Sequence, residues 1–326
     1  MDTLRIFLEN CNIDAEIAFD EPMAGHTTFR IGGPADAFVR PRSVEALATL
    51  VMGARSRSLP ITVVGGGANL LVGDRGVRGI VVATELLRGS NILADGSMYA
   101  EAGLAVTALV GEAADRGLAG LEFAAGLPGS VGGAVFMNAR CYDREFADVL
   151  GRVDFIRPGN GSGLAVESTT PDRAAWEYKR TPFMPGGALE GAIIVGAAFR
   201  LIRGDSASIR ARMAELEADR SAKGHFDNPS AGSMFKNDRA FGRPTGKILD
   251  ELHFRGRRIG DAMVSLKHAN IFVNAGHASA ADMMELIVAA QQAARSAFGI
   301  ELAPEVVFLG EFQGRVSRLA LEPFVD

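Results

Sequence analysis

The sequence predicts a protein of mixed α and β structure, and three observations predict it. Its 39 glycines are spread through the chain with 13 prolines and no short period, which calls for many tight turns and close backbone approaches rather than a helical bundle. Between residues 29 and 84, short apolar runs surround one helical segment. Hydrophobic residues make up 48% and charged residues 22% of the chain, close to a globular average, so disorder, collagen-like repeats and coiled coils are poor descriptions. At about 150 residues per domain, 326 residues suggest two domains or three small ones.

The elements follow in order. AFV, ITVV and GIVVAT read as strands, and the helix between the first two opens at Ser43 and continues through Leu47, Leu50 and Val51. From about Leu86 to Ile202 the apolar runs shorten and glycine turns multiply, with GAIIVGAAFRLI the clearest strand. A polar, charged helix runs from Ser208 towards Lys223, so a boundary is expected near Gly204. In the last third, Ser279 and Asp282 form a capping pair for a helix with Met283, Leu286, Ile287, Ala290 and Ala294 on one face and Gly299 after its end. The methionine pair at helical spacing reads as core.

Composition also excludes function classes. Thirty-four basic and 39 acidic residues leave a net charge of −5, so neither nucleic acid nor an anionic membrane is an expected partner. Local groups must meet any anionic ligand. Cys11 and Cys141 stand far apart outside any CxxC pattern, which fits a reducing compartment and argues against a disulfide scaffold or zinc; no metal is expected. The N-terminus is acidic and lacks the basic-then-apolar order of a secretory signal. The longest uncharged stretch, Phe123 to Ala139, holds Pro128, Ser130 and four glycines, too broken for a membrane helix. A cytoplasmic protein is expected.

Two glycine-rich segments offer chemistry. In VVGGGANLLVGDRG, residues 63–76, consecutive glycines turn backbone N–H groups inward and admit a phosphate without a Cβ clash. The GxGxxG template fails there, because from Gly65 it finds Gly67 and then Leu70. In GLPGSVGGAVFMNA, residues 126–139, Gly129, Gly132 and Gly133 alternate with small residues and Ser130 adds a hydroxyl. Each segment reads either as part of a phosphate cradle or as a packed glycine turn. A pair suits an extended dinucleotide.

Other templates fall away. GRPTGKI has one residue too few for a P-loop and Ile where Ser or Thr is required, no serine sits in GxSxG, and no HExxH occurs. The five histidines, among them His268, have no metal-ligand spacing. NPSAGSMFKN clusters Ser233, Lys236 and Asn237 on a turn-forming stretch, either a polar loop or a site where a cation steadies a serine acting as proton donor. WEYKRTPF puts Lys179 and Arg180 beside two aromatics, as a snorkelling surface pair or as the cation for a carboxylate. Glu305 opens an apolar run in LAPEVVFLGEF.

At these residues the chain resembles the UDP-N-acetylenolpyruvoylglucosamine reductase family. The segments that carry the resemblance are TTFRIGGPADAFV, VVGGGANLLVGDRGVRGIVV, GLEFAAGLPGSVGGAVFMNA, YKRTPF, PSAGSMFKN, TGKILDE, RRIGDAMVSLKHANIFVN and GIELAPEVVFLGE. They span nearly the whole chain in family order. The resemblance implies an α+β protein: a two-subdomain FAD-binding fold of the vanillyl-alcohol oxidase-like type, followed by an α+β substrate-binding domain. It divides the chain into residues 1–84, joined by 303–326, as the first FAD-binding subdomain, 85–204 as the second and 205–302 as the substrate domain. It implies non-covalent FAD, since neither glycine loop contains a histidine, with NADPH as co-substrate and a UDP-sugar as substrate.

Residue by residue, the resemblance assigns Val64, Gly65, Gly66, Gly67, Ala68, Asn69 and Leu70 to the cofactor pyrophosphate. Gly129, Ser130, Gly133 and Ala134 lie along the cofactor, with Arg30 and Val195 also at it. Ser233 becomes the proton donor, joined by Glu305 and by the basic residue after Tyr178. There the chain departs from the family, which usually reads Tyr-Arg where this one reads Tyr178-Lys179, with Arg180 one place later. Lysine supplies charge but no bidentate fork, so either Lys179 substitutes or the register shifts to Arg180; Lys179 is preferred. No tyrosine lies between Arg180 and Ser233, as in the shorter branch of the family that lacks a substrate-binding tyrosine loop. Diphosphate contacts are then expected from Lys236, Asn237, Lys247 and His268.

Overall fold

A computed structural model of the chain describes residues 2–158 and 165–313. The chain forms two compact units. One comprises the residues up to Phe19, Ala37–Gly66 and Gly79–Ala218; the other comprises Asp20–Asp36, Gly67–Arg78 and the chain from Asp219 onward. The tail 314–326, which the resemblance joins to the first subdomain, lies outside the described residues.

The first unit has two cores. Around one, strands Ala15–Pro22, Pro34–Pro41, Val77–Ala83 and Ile61–Val64 form a sheet in that order, with Ile61–Val64 parallel to its neighbour and Val64 opposite Ala83. The expected helix occupies Val44–Arg55, where the Ser43 hydroxyl accepts from the Ala46 N–H at 3.1 Å, Glu45 sits in the first turn and Arg55 in the last. Leu47, Leu50 and Val51 pack with Leu8, Val39, Ile80 and Val82.

Around the second core, five antiparallel strands run in the order Val166–Thr169, Leu150–Ile156, Ile193–Phe199, Met98–Glu101 and Ser90–Ile92. Every residue of Ile193–Phe199 is buried, as befits a central strand. Helices Val106–Asp115 and Val131–Phe136 contribute Leu109, Val110, Val131 and Val135 to this core. Phe146 packs edge-to-face on both Phe123 and Phe199.

In the second unit, strands Ser230–Ser233, Ile271–Asn274, Ala262–Val264 and Arg258–Ile259 form an antiparallel sheet in that order. Helix Ala280–Phe298 carries the expected Ser279/Asp282 capping box, and Gly299 ends it in the left-handed region at φ +64°. Its face of Met283, Leu286, Ile287, Ala290 and Ala294 is buried in the core. Two short early segments share that core. Phe29, Ile31 and Leu71 lie in it with Met234, Phe235 and Phe272, the buried Asn274 amide donates to the Phe29 carbonyl at 3.0 Å, and Asp74 accepts from the Ala280 and Ala281 N–H groups at 2.7 and 2.9 Å. Strand Val307–Leu309 pairs in parallel with Leu70–Val72. These contacts explain why segments 20–36 and 67–78 belong with the last third, a long-range association that short apolar runs do not encode.

Candidate functional site

In the first unit the two glycine-rich segments meet backbone to backbone. A Cβ on Gly66 would come within 2.8 Å of the Gly129 Cα, and one on Gly65 would collide with the Ser130 hydroxyl. Ser130 is the clasp. It is 4% exposed, and its Oγ accepts from the Gly66 N–H at 3.2 Å and from the Gly133 N–H at 3.4 Å, so it also caps helix Val131–Phe136. Gly65 and Gly66 thus let two main chains close on each other where any Cβ would collide, with the Gly66 and Gly133 N–H groups taken by Ser130. The result is a compact glycine-rich backbone surface, the kind of surface that an extended, phosphate-bearing ligand uses. Of the other residues assigned to the cofactor, Val64 and Ala134 are buried in this unit, while Val195 is 1% exposed and its carbonyl accepts from the Ala102 N–H at 2.9 Å.

The cation-bearing segment of this unit is a turn. The Glu177 and Arg180 main chains exchange N–H···O bonds of 3.1 and 3.2 Å. Lys179 stands third of the four residues with φ +55°, the geometry of a type II turn, which ordinarily selects glycine. Lys179 is half-buried whereas Arg180 is exposed. Two side chains tie the turn down. The fully buried Asn138, at the end of the second glycine-rich segment, donates from Nδ2 to the Glu177 carbonyl at 2.9 Å while its Oδ1 accepts from the Ala147 N–H at 3.0 Å. Thr181 Oγ1 donates to the Phe136 carbonyl at 2.8 Å. The Arg140 guanidinium lies 5.6 Å from the Tyr178 ring centroid.

In the second unit, segments 233–236 and 303–305 are laced together by main chain. The Glu305 N–H donates to the Met234 carbonyl at 2.8 Å, the Lys236 N–H donates to the Ala303 carbonyl at 2.9 Å, and Phe235 and Pro304 form a bridge between them. Ser233 and Glu305 are both half-buried. The strand bearing Ser233 carries a bulge, since its register shifts between Ser230 opposite Val273 and Ser233 opposite Ile271. Gly232 supplies the bulge at φ +75°, and bulges of this kind re-aim the following side chain. Asn69 of the first glycine-rich segment donates to the Glu305 carbonyl at 3.0 Å, so it belongs with this pair of segments. Arg30 is exposed at φ +56°.

The residues expected at the diphosphate divide by environment. Asn237 Oδ1 accepts from the Thr245 N–H at 2.9 Å, and the Lys236 carbonyl accepts from Thr245 Oγ1 at 2.7 Å, so both residues brace the start of helix Thr245–Glu251, which carries the exposed Lys247. His268 Nδ1 accepts from the Asn270 N–H at 3.2 Å, and burial holds its pKa below the usual imidazole value. The neutral ring therefore carries its proton on Nε2 and offers a donor rather than a charge. His225, with its ring centroid 6.4 Å away, is pushed down to about 4, first by burial and then by the positive charges of Arg220 and Lys223.

Sequence reasoning missed Asn138 and Asn270. Asn270 is 1% exposed, and its side chain holds both the N–H and the carbonyl of Phe235, at 3.0 and 2.8 Å. The available signal was an amide at the edge of an apolar run, just after it in VFMNA and just before it in HANIFV. Among the described residues no group of three or more His, Cys, Asp or Glu is placed to hold a metal ion, and no helix is long and apolar enough to cross a membrane.

Known proteins match this arrangement over nearly its whole length. The family model of the UDP-N-acetylenolpyruvoylglucosamine reductase C-terminal domain matches residues 224–309, and that of the FAD binding domain matches residues 35–166. The UDP-N-acetylenolpyruvoylglucosamine reductase of Agathobacter rectalis is 40% identical over 306 residues, covering 90% of this chain and 94% of the relative. Its counterpart in Treponema denticola is 36% identical over 324 residues, covering 96% and 100%. The crystal structure of the Thermus caldophilus UDP-N-acetylenolpyruvylglucosamine reductase superposes with a TM-score of 0.73 at 32% identity, covering 90% of this chain and 98% of that one.

Proposed function

The chain belongs to the UDP-N-acetylenolpyruvoylglucosamine reductase family, and from that premise we propose how its own residues share the reaction. It is an FAD-dependent oxidoreductase that reduces UDP-N-acetylglucosamine enolpyruvate to UDP-N-acetylmuramate, a peptidoglycan precursor. FAD, when bound, supplies the hydride for enolpyruvyl C3, having taken it from NADPH. The protein supplies position, charge and a proton.

Val64 to Leu70 hold the cofactor pyrophosphate, and Gly129, Ser130, Gly133 and Ala134 line the cofactor, with Arg30 and Val195 as further contacts. The cofactor is non-covalent. As hydride arrives at C3, negative charge builds on C2 and on the substrate carboxylate; Lys179 steadies that charge, and Glu305 acts with it on the same intermediate. Ser233 then gives its proton to C2. Lys179 rather than Arg180 fits this task because it is the half-buried member of the pair, where a charge acts through less solvent. Lys236, Asn237, Lys247 and His268 hold the diphosphate. The protein works in the cytoplasm, on small molecules and without nucleic-acid or membrane partners, and its first unit's two cores correspond to two FAD-binding subdomains.

One observation carries this division of labour: the main-chain lacing of segments 233–236 and 303–305, which puts Ser233 and Glu305 on two segments bonded to each other. The test is anaerobic. The protein is reduced with NADPH and UDP-N-acetylglucosamine enolpyruvate is added; rapid return of the oxidised flavin spectrum is expected, and reoxidation by oxygen alone would overturn the reading.

A further inference from the structure

We propose that Asn138 and Thr181 are positioning residues that hold the Lys179 turn against the second glycine-rich segment, so that cofactor loop and catalytic cation move as one piece. The proposal rests on Lys179 acting at the substrate carboxylate. Three features of the first unit support it. Lys179 occupies a left-handed backbone position, φ +55°, which costs a non-glycine residue energy and persists only where the surroundings enforce it. The enforcement comes from the Asn138 amide on the Glu177 carbonyl and the Thr181 hydroxyl on the Phe136 carbonyl, at 2.9 and 2.8 Å, one tie on each side of Lys179. Both side chains are buried, at 0% and 2% exposure, so losing either bond strands a buried side-chain group and releases one tie, while the Glu177 carbonyl keeps only its bond from the Arg180 N–H.

The chain route gives this meaning. Asn138 and Phe136 end the same segment whose start, Gly129 to Gly133, is clasped to Gly66 by the Ser130 hydroxyl. Asn138 itself has φ +41°, a conformation asparagine tolerates better than most residues, and its Oδ1 anchors it to the Ala147 N–H. A single short rigid stretch therefore reaches from the cofactor loop to the catalytic turn. A misplacement of about 1 Å at a catalytic group costs on the order of 100-fold, which makes such a strut worth keeping in a place where a lysine replaces the family's arginine and cannot compensate with a fork.

The discriminating substitution is Asn138→Asp, which keeps shape, left-handed backbone and the acceptor for Ala147 but removes the Nδ2 donor to Glu177. In the flavin-loaded protein, reoxidation by enolpyruvyl substrate should slow about 10- to 100-fold, while flavin content and the rate of reduction by NADPH stay within about twofold. Amide exchange at Arg180, whose N–H bonds the Glu177 carbonyl, should quicken. In a Lys179→Ala background the same change should add almost nothing, because the two act as a unit. Equal slowing of both half-reactions, or none, overturns the proposal. If Lys179→Ala alone leaves reoxidation untouched, the assignment of Lys179 fails instead, so the two failures are distinct. Should Asn138→Asp be isolated without flavin, Thr181→Val, which removes the other tie and keeps the side-chain shape, is judged by the same criteria.

Discussion

The two units hold the residues proposed for catalysis by opposite means. In the second, Ser233 and Glu305, the proposed proton donor and its companion, are set by main-chain pairing between 233–236 and 303–305. In the first, the Lys179 turn sits in a strained backbone conformation that side chains from elsewhere in the sequence, Asn138 and Thr181, hold in place. A ladder is made of groups every residue carries, so it tolerates replacement of the side chains it displays. A turn held by two buried side chains fails when either is changed. The difference teaches where mutations should separate chemistry from scaffolding.

The sharpest way to break the comparison is Ser233→Ala. If the ladder alone positions this residue, the variant should bind FAD and be reduced by NADPH at nearly the parent rate, yet lose about 100- to 10,000-fold in reoxidation by substrate, the usual worth of general acid catalysis. Stopped-flow flavin absorbance, recorded for each half-reaction, checks this; equal slowing of both phases would remove Ser233 from the mechanism.

Lys179 comes next. Lys179→Ala should slow turnover roughly 30- to 1000-fold, the equivalent of about 2 to 4 kcal/mol of stabilisation for a developing anion. Arg180→Ala should do much less, and Lys179→Arg should retain most activity. Steady-state kinetics of the three variants decide the register, and a crippled Arg180→Ala would transfer the role to Arg180.

A stability measurement sharpens the contrast from the scaffold side. Asn270→Ala strips both partners from the buried Phe235 backbone, whose N–H and carbonyl its amide satisfies, and should cost about 2 to 4 kcal/mol. The loss should appear in urea unfolding of the second unit as a lower midpoint.

The smallest effect is a pH dependence. His225 is held down to about 4, mainly by burial and then by the positive charges of Arg220 and Lys223, and burial lowers His268 in the same direction. Below the unfolded imidazole value of about 6.5 the unfolded chain binds protons that the folded one refuses, so stability is complete above that pH and falls from there towards 4. The thermal midpoint should fall across that window, and His225→Gln should flatten the fall. An unchanged profile in the variant would assign the acid loss to other groups.

How much of this was legible beforehand follows from the range of the forces involved. The helix Val44–Arg55, the strand Ile193–Phe199 and the capped helix Ala280–Phe298 were readable because each is specified within its own segment, by apolar periodicity and a capping side chain. The two glycine-rich segments were readable as bare main chain, but their closure through Ser130 was not, because a hydroxyl 64 residues away in sequence supplies it. Ser233, Glu305 and Lys179 came from motifs matched in family order, whereas the bulge at Gly232 that re-aims Ser233 needed the register of a strand some 40 residues on.

By itself, then, the sequence determined the elements, the glycine-rich segments and the family to which the chain belongs. The tertiary structure alone decided which early segments join the last third, through Phe29, Ile31, Leu71 and Asp74, and which buried amides hold the functional main chain, namely Asn138 and Asn270. The reason is physical. Local propensity and capping act over three or four residues, while burial and the satisfaction of buried carbonyls depend on which distant segments close over them, and that is settled only when the chain packs.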